Sequence, residues 1–146
     1  MSNRICIGNR EFDGKIDITD PCYNKTVWCR MNDVEVKPGN YFGYIETNSK
    51  GRVSLIGIYL DDDLPTNAFA HIGDIGVDAG LAGFFENKPD YSSEEWVEIC
   101  EKLRGKNWAL LDDGFVSLTG YGDGEYPVWA SKNDDGKVVA LEIKFM

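Results

Sequence analysis

Short runs in which apolar and polar residues alternate, each closed by Gly, Asp or Asn, recur along the chain. Alternation at every second position marks a strand with one buried face. Residues 15–19 alternate around Ile16 and Ile18, and residues 41–47 and 52–60 are β-rich runs joined by Asn48-Ser49-Lys50-Gly51, which reads as a hairpin turn. Residues 108–111 and 115–118 flank Asp112-Asp113-Gly114, and residues 125–131 and 137–145 flank Asn133-Asp134-Asp135-Gly136, two further turn signals. In the last run Val139, Leu141, Ile143 and Phe145 alternate with Ala140, Glu142 and Lys144, which predicts one buried and one largely wet face. In Tyr41-Phe42-Gly43-Tyr44 the alternation sets Tyr41 with Gly43 and Phe42 with Tyr44. One of these two faces is expected to be only partly buried.

One segment has a different period. Ser92 followed by Glu95 forms a capping box, and Trp96, Ile99, Cys100 and Leu103 then fall at i, i+3, i+4 and i+7. Lys102 and Arg104 suit the last turn and Gly105 suits the position just past it. The spacing predicts a helix at about 92–104. The expected fold is mainly β (α+β): an antiparallel β-sandwich or barrel-like sheet in a single domain, residues 1–146, with one amphipathic helix against it.

Composition narrows the function classes. Of 146 residues 42% are hydrophobic and 27% charged, a globular mixture that excludes a disordered polar chain. No run approaches the ~20 apolar residues that a membrane-spanning helix needs. With 15 Lys and Arg against 25 Asp and Glu, the formal charge is −10. Affinity for nucleic acid comes largely from Lys and Arg on phosphates, so a nucleic-acid partner is not expected. The same charge favours encounter with a basic protein surface. The N-terminus has no apolar signal segment, so a cytoplasmic protein with four reduced cysteines is expected, Cys6, Cys22, Cys29 and Cys100. The Cys22–Cys29 spacing is too wide for a zinc knuckle, and these thiols are read as buried and inert.

Three clusters place an aspartate beside Gly or Pro, where the backbone must turn: Asp20-Pro21-Cys22-Tyr23 with Trp28-Cys29 close behind, the Gly-rich stretch 73–80, and Tyr121-Gly122-Asp123-Gly124-Glu125-Tyr126-Pro127. Asp20, Asp78 and Asp123 could converge on a divalent cation, which wants several oxygen ligands. Alternatively each aspartate accepts backbone amides within its own turn, the commoner use of Asp, with Gly80, Gly122, Gly124 and Pro127 as structural turn residues. A carboxylate pair such as Asp78 with Asp123 or Glu125 would be the acid–base variant of the first reading. No nucleophile elbow occurs, His71 is the sole histidine and is read as structural, and Asp61-Asp62-Asp63 reads as a solvated loop. Gly120-x-Gly122-x-Gly124 leads into a strand rather than a helix, unlike a phosphate loop.

Taken in order, DPCY…WC, VDAG and YGDG-x-YPV ahead of an alternating C-terminal strand resemble a bacterial domain-of-unknown-function family, from about Asp17 to Phe145. The resemblance implies a mostly β fold in a bacterial or phage setting and carries no activity with it. The function expected from these features is a non-enzymatic acidic binding module, of the immunity type or a phage-borne inhibitor, recognising a basic protein surface. Its anchors would come from Trp28, Tyr41, Phe42, Tyr44, Phe84, Phe85 and Trp129. The alternatives are a divalent-metal-binding domain or metal-dependent enzyme using Asp20, Asp78 and Asp123, and a structural subunit of a larger assembly. No cofactor and no catalytic residue are assigned.

Overall fold

The computed structural model describes residues 3–24, 26, 28–63, 65–87 and 92–145. Among them are strands β1 (Asn3–Phe12), β2 (Lys15–Thr19), β3 (Met31–Glu35), β4 (Gly39–Thr47), β5 (Val53–Leu60), β6 (Ala70–Val77) and β7 (Leu81–Glu86). Helix α1 (Ser93–Leu103) follows, then β8 (Trp108–Leu111), β9 (Gly114–Leu118), β10 (Gly124–Lys132) and β11 (Val138–Lys144). The strands form a six-stranded sheet, β1-β4-β5-β11-β10-β6, and a five-stranded sheet, β3-β2-β7-β9-β8. All pairings are antiparallel. No helix among the described residues is long and apolar enough to cross a membrane.

The alternation seen in the sequence sorts the side chains between the two sheets. Ile45, Ile56, Ile58, Val128, Leu141 and Ile143 of the larger sheet meet Ile16, Ile18, Phe84 and Phe115 of the smaller in one buried core. Tyr41 lies in that core with none of its surface exposed, and a Cβ on neighbouring Gly43 would overlap the Phe115 ring. Glycine is therefore required there by the approach of the opposing sheet. Phe42 and Tyr44 point the other way, as the alternation predicted.

The two sheets touch at their edges. β1 runs beside β8, where Arg10 Nε donates to the Leu111 carbonyl. A bulge at Cys6/Gly8, with Gly8 at φ +128°, makes room for the Leu110 side chain. At the opposite side of the sandwich, the amide of Gly76 in β6 donates to the Cys29 carbonyl at 2.7 Å.

α1 starts where the capping box placed it. Ser92 Oγ accepts from the Glu95 amide at 3.2 Å, while the Ser92 amide donates to Glu95 Oε1 at 3.0 Å. Ile99 is buried against Phe85, Leu111 and Val116 on the outer face of the smaller sheet, with Trp96 and Leu103 half-buried beside it. The stripe is narrower than its sequence suggests, because Cys100 is exposed. Cys6 and Cys22 are exposed too, so the expectation of buried thiols is corrected for three of the four.

Candidate recognition site at the three-aspartate end

The three aspartate clusters meet at one end of the sandwich, where β2 and β6 finish and β10 begins. Asp20, with none of its surface exposed, sits just past β2. Its Oδ1 accepts the Cys22 amide at 2.9 Å, closing a local turn. Its Oδ2 accepts the amides of Asp78 at 2.9 Å and Ala79 at 2.6 Å, in the turn between β6 and β7. Backbone donors thus occupy both oxygens of the Asp20 carboxylate, which acts as a clamp between two loops. A charged acceptor of this kind is about twice as strong as a neutral one.

The third loop adjoins the second. The Thr119 amide donates to the Gly80 carbonyl at 3.0 Å, and a Cβ on Gly80 would lie 4.0 Å from Asp123 Oδ1. Gly80 and Gly122 adopt φ +69° and +80°, left-handed values that favour glycine. The Gly122 carbonyl accepts from both Thr119 Oγ1 at 2.7 Å and the Tyr126 hydroxyl at 2.8 Å, which fixes the turn ahead of β10. Gly124 opens β10. Pro127, grouped in the sequence with the turn, lies inside that strand. It precedes the ladder with β11, which begins at Val128 opposite Ile143, and the end of a ladder tolerates a residue without an N–H.

Clustering of the loops does not by itself make a cation site. The Asp20 oxygens face amides, whereas Asp78 and Asp123 are exposed. Among the described residues no group of three or more His, Cys, Asp or Glu side chains is placed to hold a metal ion.

A second buried carboxylate, which no motif or spacing singles out, shapes the same loop. Asp17 and Arg30 have side chains 1% and 4% exposed and pair at 3.0 Å. The guanidinium also donates to Asn32 Oδ1 at 2.5 Å and to the Tyr23 carbonyl at 2.6 Å. Asp17 Oδ1 accepts from the Asp33 amide at 3.1 Å and from Asn87 Nδ2 at 2.8 Å. The planar fork of arginine places donors on three separate nitrogens, here Nε, Nη1 and Nη2, a spread that the single nitrogen of lysine does not match. Both ends of the β2–β3 loop are therefore held, at Asp20 and at Arg30.

Between those anchors the chain displays Trp28, which is 90% exposed. Nearby thiol and phenol groups are kept protonated. Although Cys22 is exposed as a residue, local desolvation of its thiol, followed by the Asp20 charge and a hydrogen bond to that carboxylate, pushes the thiol up to about 12. Burial and then a hydrogen bond with the Cys29 thiol push the Tyr23 hydroxyl up to about 12. A thiol held protonated at neutral pH is a poor nucleophile. His71, the sole histidine, is elsewhere: it faces Trp129 at 5.4 Å and pairs with Asp74 at 2.9 Å on the outside of the larger sheet.

The remaining aromatic candidates divide cleanly. Tyr41, Phe84 and Phe85 are core residues, at most 1% exposed. On the outer face of the larger sheet Phe42 and Trp129 are half-buried and Tyr44 is buried. Of the Asp61-Asp62-Asp63 run, the first two residues are exposed, while Asp63 pairs with Lys37 at 2.6 Å and accepts from Asn133 at 2.7 Å. At the far end of the strands an open cleft of about 890 Å³ mixes Lys15, Lys37, Lys132 and Lys137 with Asp13, Glu35 and Glu86, so charges of both signs line it. No protein-family model, curated protein or solved structure matches this chain.

Proposed function

We propose that this chain is a non-enzymatic acidic binding module, of the immunity or inhibitor type, that recognises a basic protein surface through its three-aspartate end. The observation that supports it is Trp28: the largest kind of side chain, 90% exposed, on a loop clamped at Asp20 and Arg30. Trp is the residue type most enriched at binding hot spots. Anchoring at both ends lowers the freedom that is lost on docking, so more of the contact energy appears as affinity. Asp78, Asp123 and Glu125 are exposed on the same end, and the chain carries −10 overall. That field would draw a basic partner and speed its encounter.

Affinity capture with wild-type chain and a Trp28→Ala bait tests the reading. A basic protein should be retained by the wild type and lost, or weakened by ten-fold or more, with Trp28→Ala (a loss of about 1.4 kcal/mol or more). Its association rate should fall as salt is raised. Retention that ignores Trp28, or a rate indifferent to salt, would overturn it.

A further inference from the structure

The strand ends opposite the Trp28 loop frame the cleft of about 890 Å³, a volume within the range of small-molecule sites. Its walls come from different sheets. On the larger sheet Lys132 ends β10 and Lys137 precedes β11. On the smaller sheet Lys15 opens β2, Glu35 ends β3 and Glu86 ends β7. Beneath them the chain crosses between the sheets twice, at Asp13-Gly14 and at Val36-Lys37-Pro38. The Val36 amide donates to the Gly14 carbonyl and the Lys37 amide to the Val138 carbonyl, each at 2.9 Å. The backbone of the cleft floor is therefore fixed by the fold.

The two walls differ in charge. The larger sheet contributes Lys132 and Lys137 to the lining and no acid. The smaller contributes Glu35 and Glu86 against Lys15, with Asp13 in the crossing beneath. Lys37 is taken up by Asp63 at 2.6 Å, and Asp62 and Asp135 act on it from outside the lining. Asp134 accepts from Thr66 Oγ1 at 2.8 Å and does not line the cleft either. Among the described residues, Lys132, Lys137, Asp13 and Glu35 form no ion pair. A simple anion would meet Glu35 and Asp13 here, and a simple cation would meet Lys132 and Lys137.

We infer that this cleft binds a small zwitterion: a peptide of about three residues with both ends free. Its carboxylate lies on Lys132 and Lys137, and its ammonium on Glu35 and Asp13. The span between the walls sets the length. Packed sheets lie ~10 Å apart, and an extended chain covers ~3.3–3.6 Å per residue, so three residues reach from one wall to the other. A free amino acid carries both charges on one carbon and cannot touch both walls. Val36, Pro38 and Val138 supply an apolar floor for the peptide between its ends. The lysines give up rotamer freedom when they hold the carboxylate, which keeps the affinity in the millimolar range. The inference is independent of the binding reading, since the cleft and Trp28 lie at opposite ends of the sandwich.

Titration of the full chain with trialanine up to about 10 mM, followed by amide NMR shifts, tests it. Saturable shifts are expected at residues 13–15, 35–37 and 136–138, with none at residues 20–30. N-acetylated trialanine and trialanine amide, each lacking one charge, should bind at least ten-fold more weakly. The double variant Lys132→Gln, Lys137→Gln should lose affinity for trialanine to the same degree, whereas Trp28→Ala should bind it as the wild type does. Four results would each overturn the inference: no saturable shift, blocked peptides binding as well as the free one, wild-type affinity in the lysine variant, or loss of binding in Trp28→Ala. If the lysine variant misfolds, the blocked peptides decide, because they are read on the wild-type chain.

Discussion

Asp20 Oδ2 accepts the amide of Ala79 at 2.6 Å, so a carboxylate at the end of β2 holds the turn that begins 58 residues later at Asp78. Replacing it with asparagine keeps the shape but must aim an NH₂ group at amide donors on one side. Asp20→Asn should lower stability by about 1.5–3 kcal/mol, the range for hydrogen bonds to a charged group. Denaturant unfolding checks this, and an unchanged midpoint would contradict it. Because amides occupy both oxygens of this carboxylate, added Ca²⁺, Mg²⁺ or Mn²⁺ should leave the wild-type melting temperature where it is. A rise would favour the metal reading.

Arg30 is held to a stricter test. Arg30→Met leaves Asp17 buried without its counter-charge and should cost about 3–5 kcal/mol. Arg30→Lys should also destabilise, because one ammonium cannot replace contacts to Asp17, Asn32 and Tyr23. Asp17→Asn combined with Arg30→Met should cost less than the sum of the single changes. A double-mutant cycle by urea denaturation measures the coupling, and strict additivity would contradict the pairing.

Ser117 points into the core with none of its surface exposed, and among the described residues its hydroxyl has no hydrogen-bond partner. A buried hydroxyl left unpaired costs about 1–3 kcal/mol. Ser117→Ala should therefore leave thermal stability unchanged or raise it. A clear fall in melting temperature would show that the hydroxyl contributes something the geometry does not reveal.

Alkaline pH should weaken the fold early. Cys22 and Tyr23 are pushed up to about 12, and burial raises Tyr41 and Tyr44 as well. In the unfolded chain such groups ionise near ~8.5 for Cys and ~10 for Tyr. The folded state therefore keeps protons that the unfolded state releases. The stabilisation is complete below about pH 8.5 and is lost as pH climbs toward 12. Melting temperature followed from neutral pH upward should begin to fall there, and Cys22→Ser should remove the earliest part of the fall. A flat profile through the tyrosine range would contradict the assignment.

Much of the fold is legible from periodicity. β2 and β8 span the expected residues, and β4, β5, β9, β10 and β11 lie within two residues of expectation. Four strands were hidden, each for a local reason. The Gly8 bulge breaks the alternation of β1. Gly73 and Gly76 made β6 look like a loop, although Cys29 packs where a Gly76 side chain would be. β7 is apolar at consecutive positions because Phe84 faces the core and Phe85 faces α1, so it has no period of two. β3 is short and polar, and its Asp33 sits at φ +55°. For the site, the sequence marks the turns that meet but not how they are used. The Asp20 carboxylate serves amides 58 and 59 residues away, and the Asp17–Arg30 pair forms across a loop. Neither contact has a spacing that a motif could carry.

Hydrogen–deuterium exchange on the complex with a captured basic partner measures the binding claim most directly. The expected footprint is slowed exchange at residues 20–30, 78–80 and 122–125, with α1 and the β10–β11 turn at residues 133–137 unchanged. Protection centred on α1 or on the outer sheet face, with the Trp28 loop exchanging as in the free chain, would contradict it.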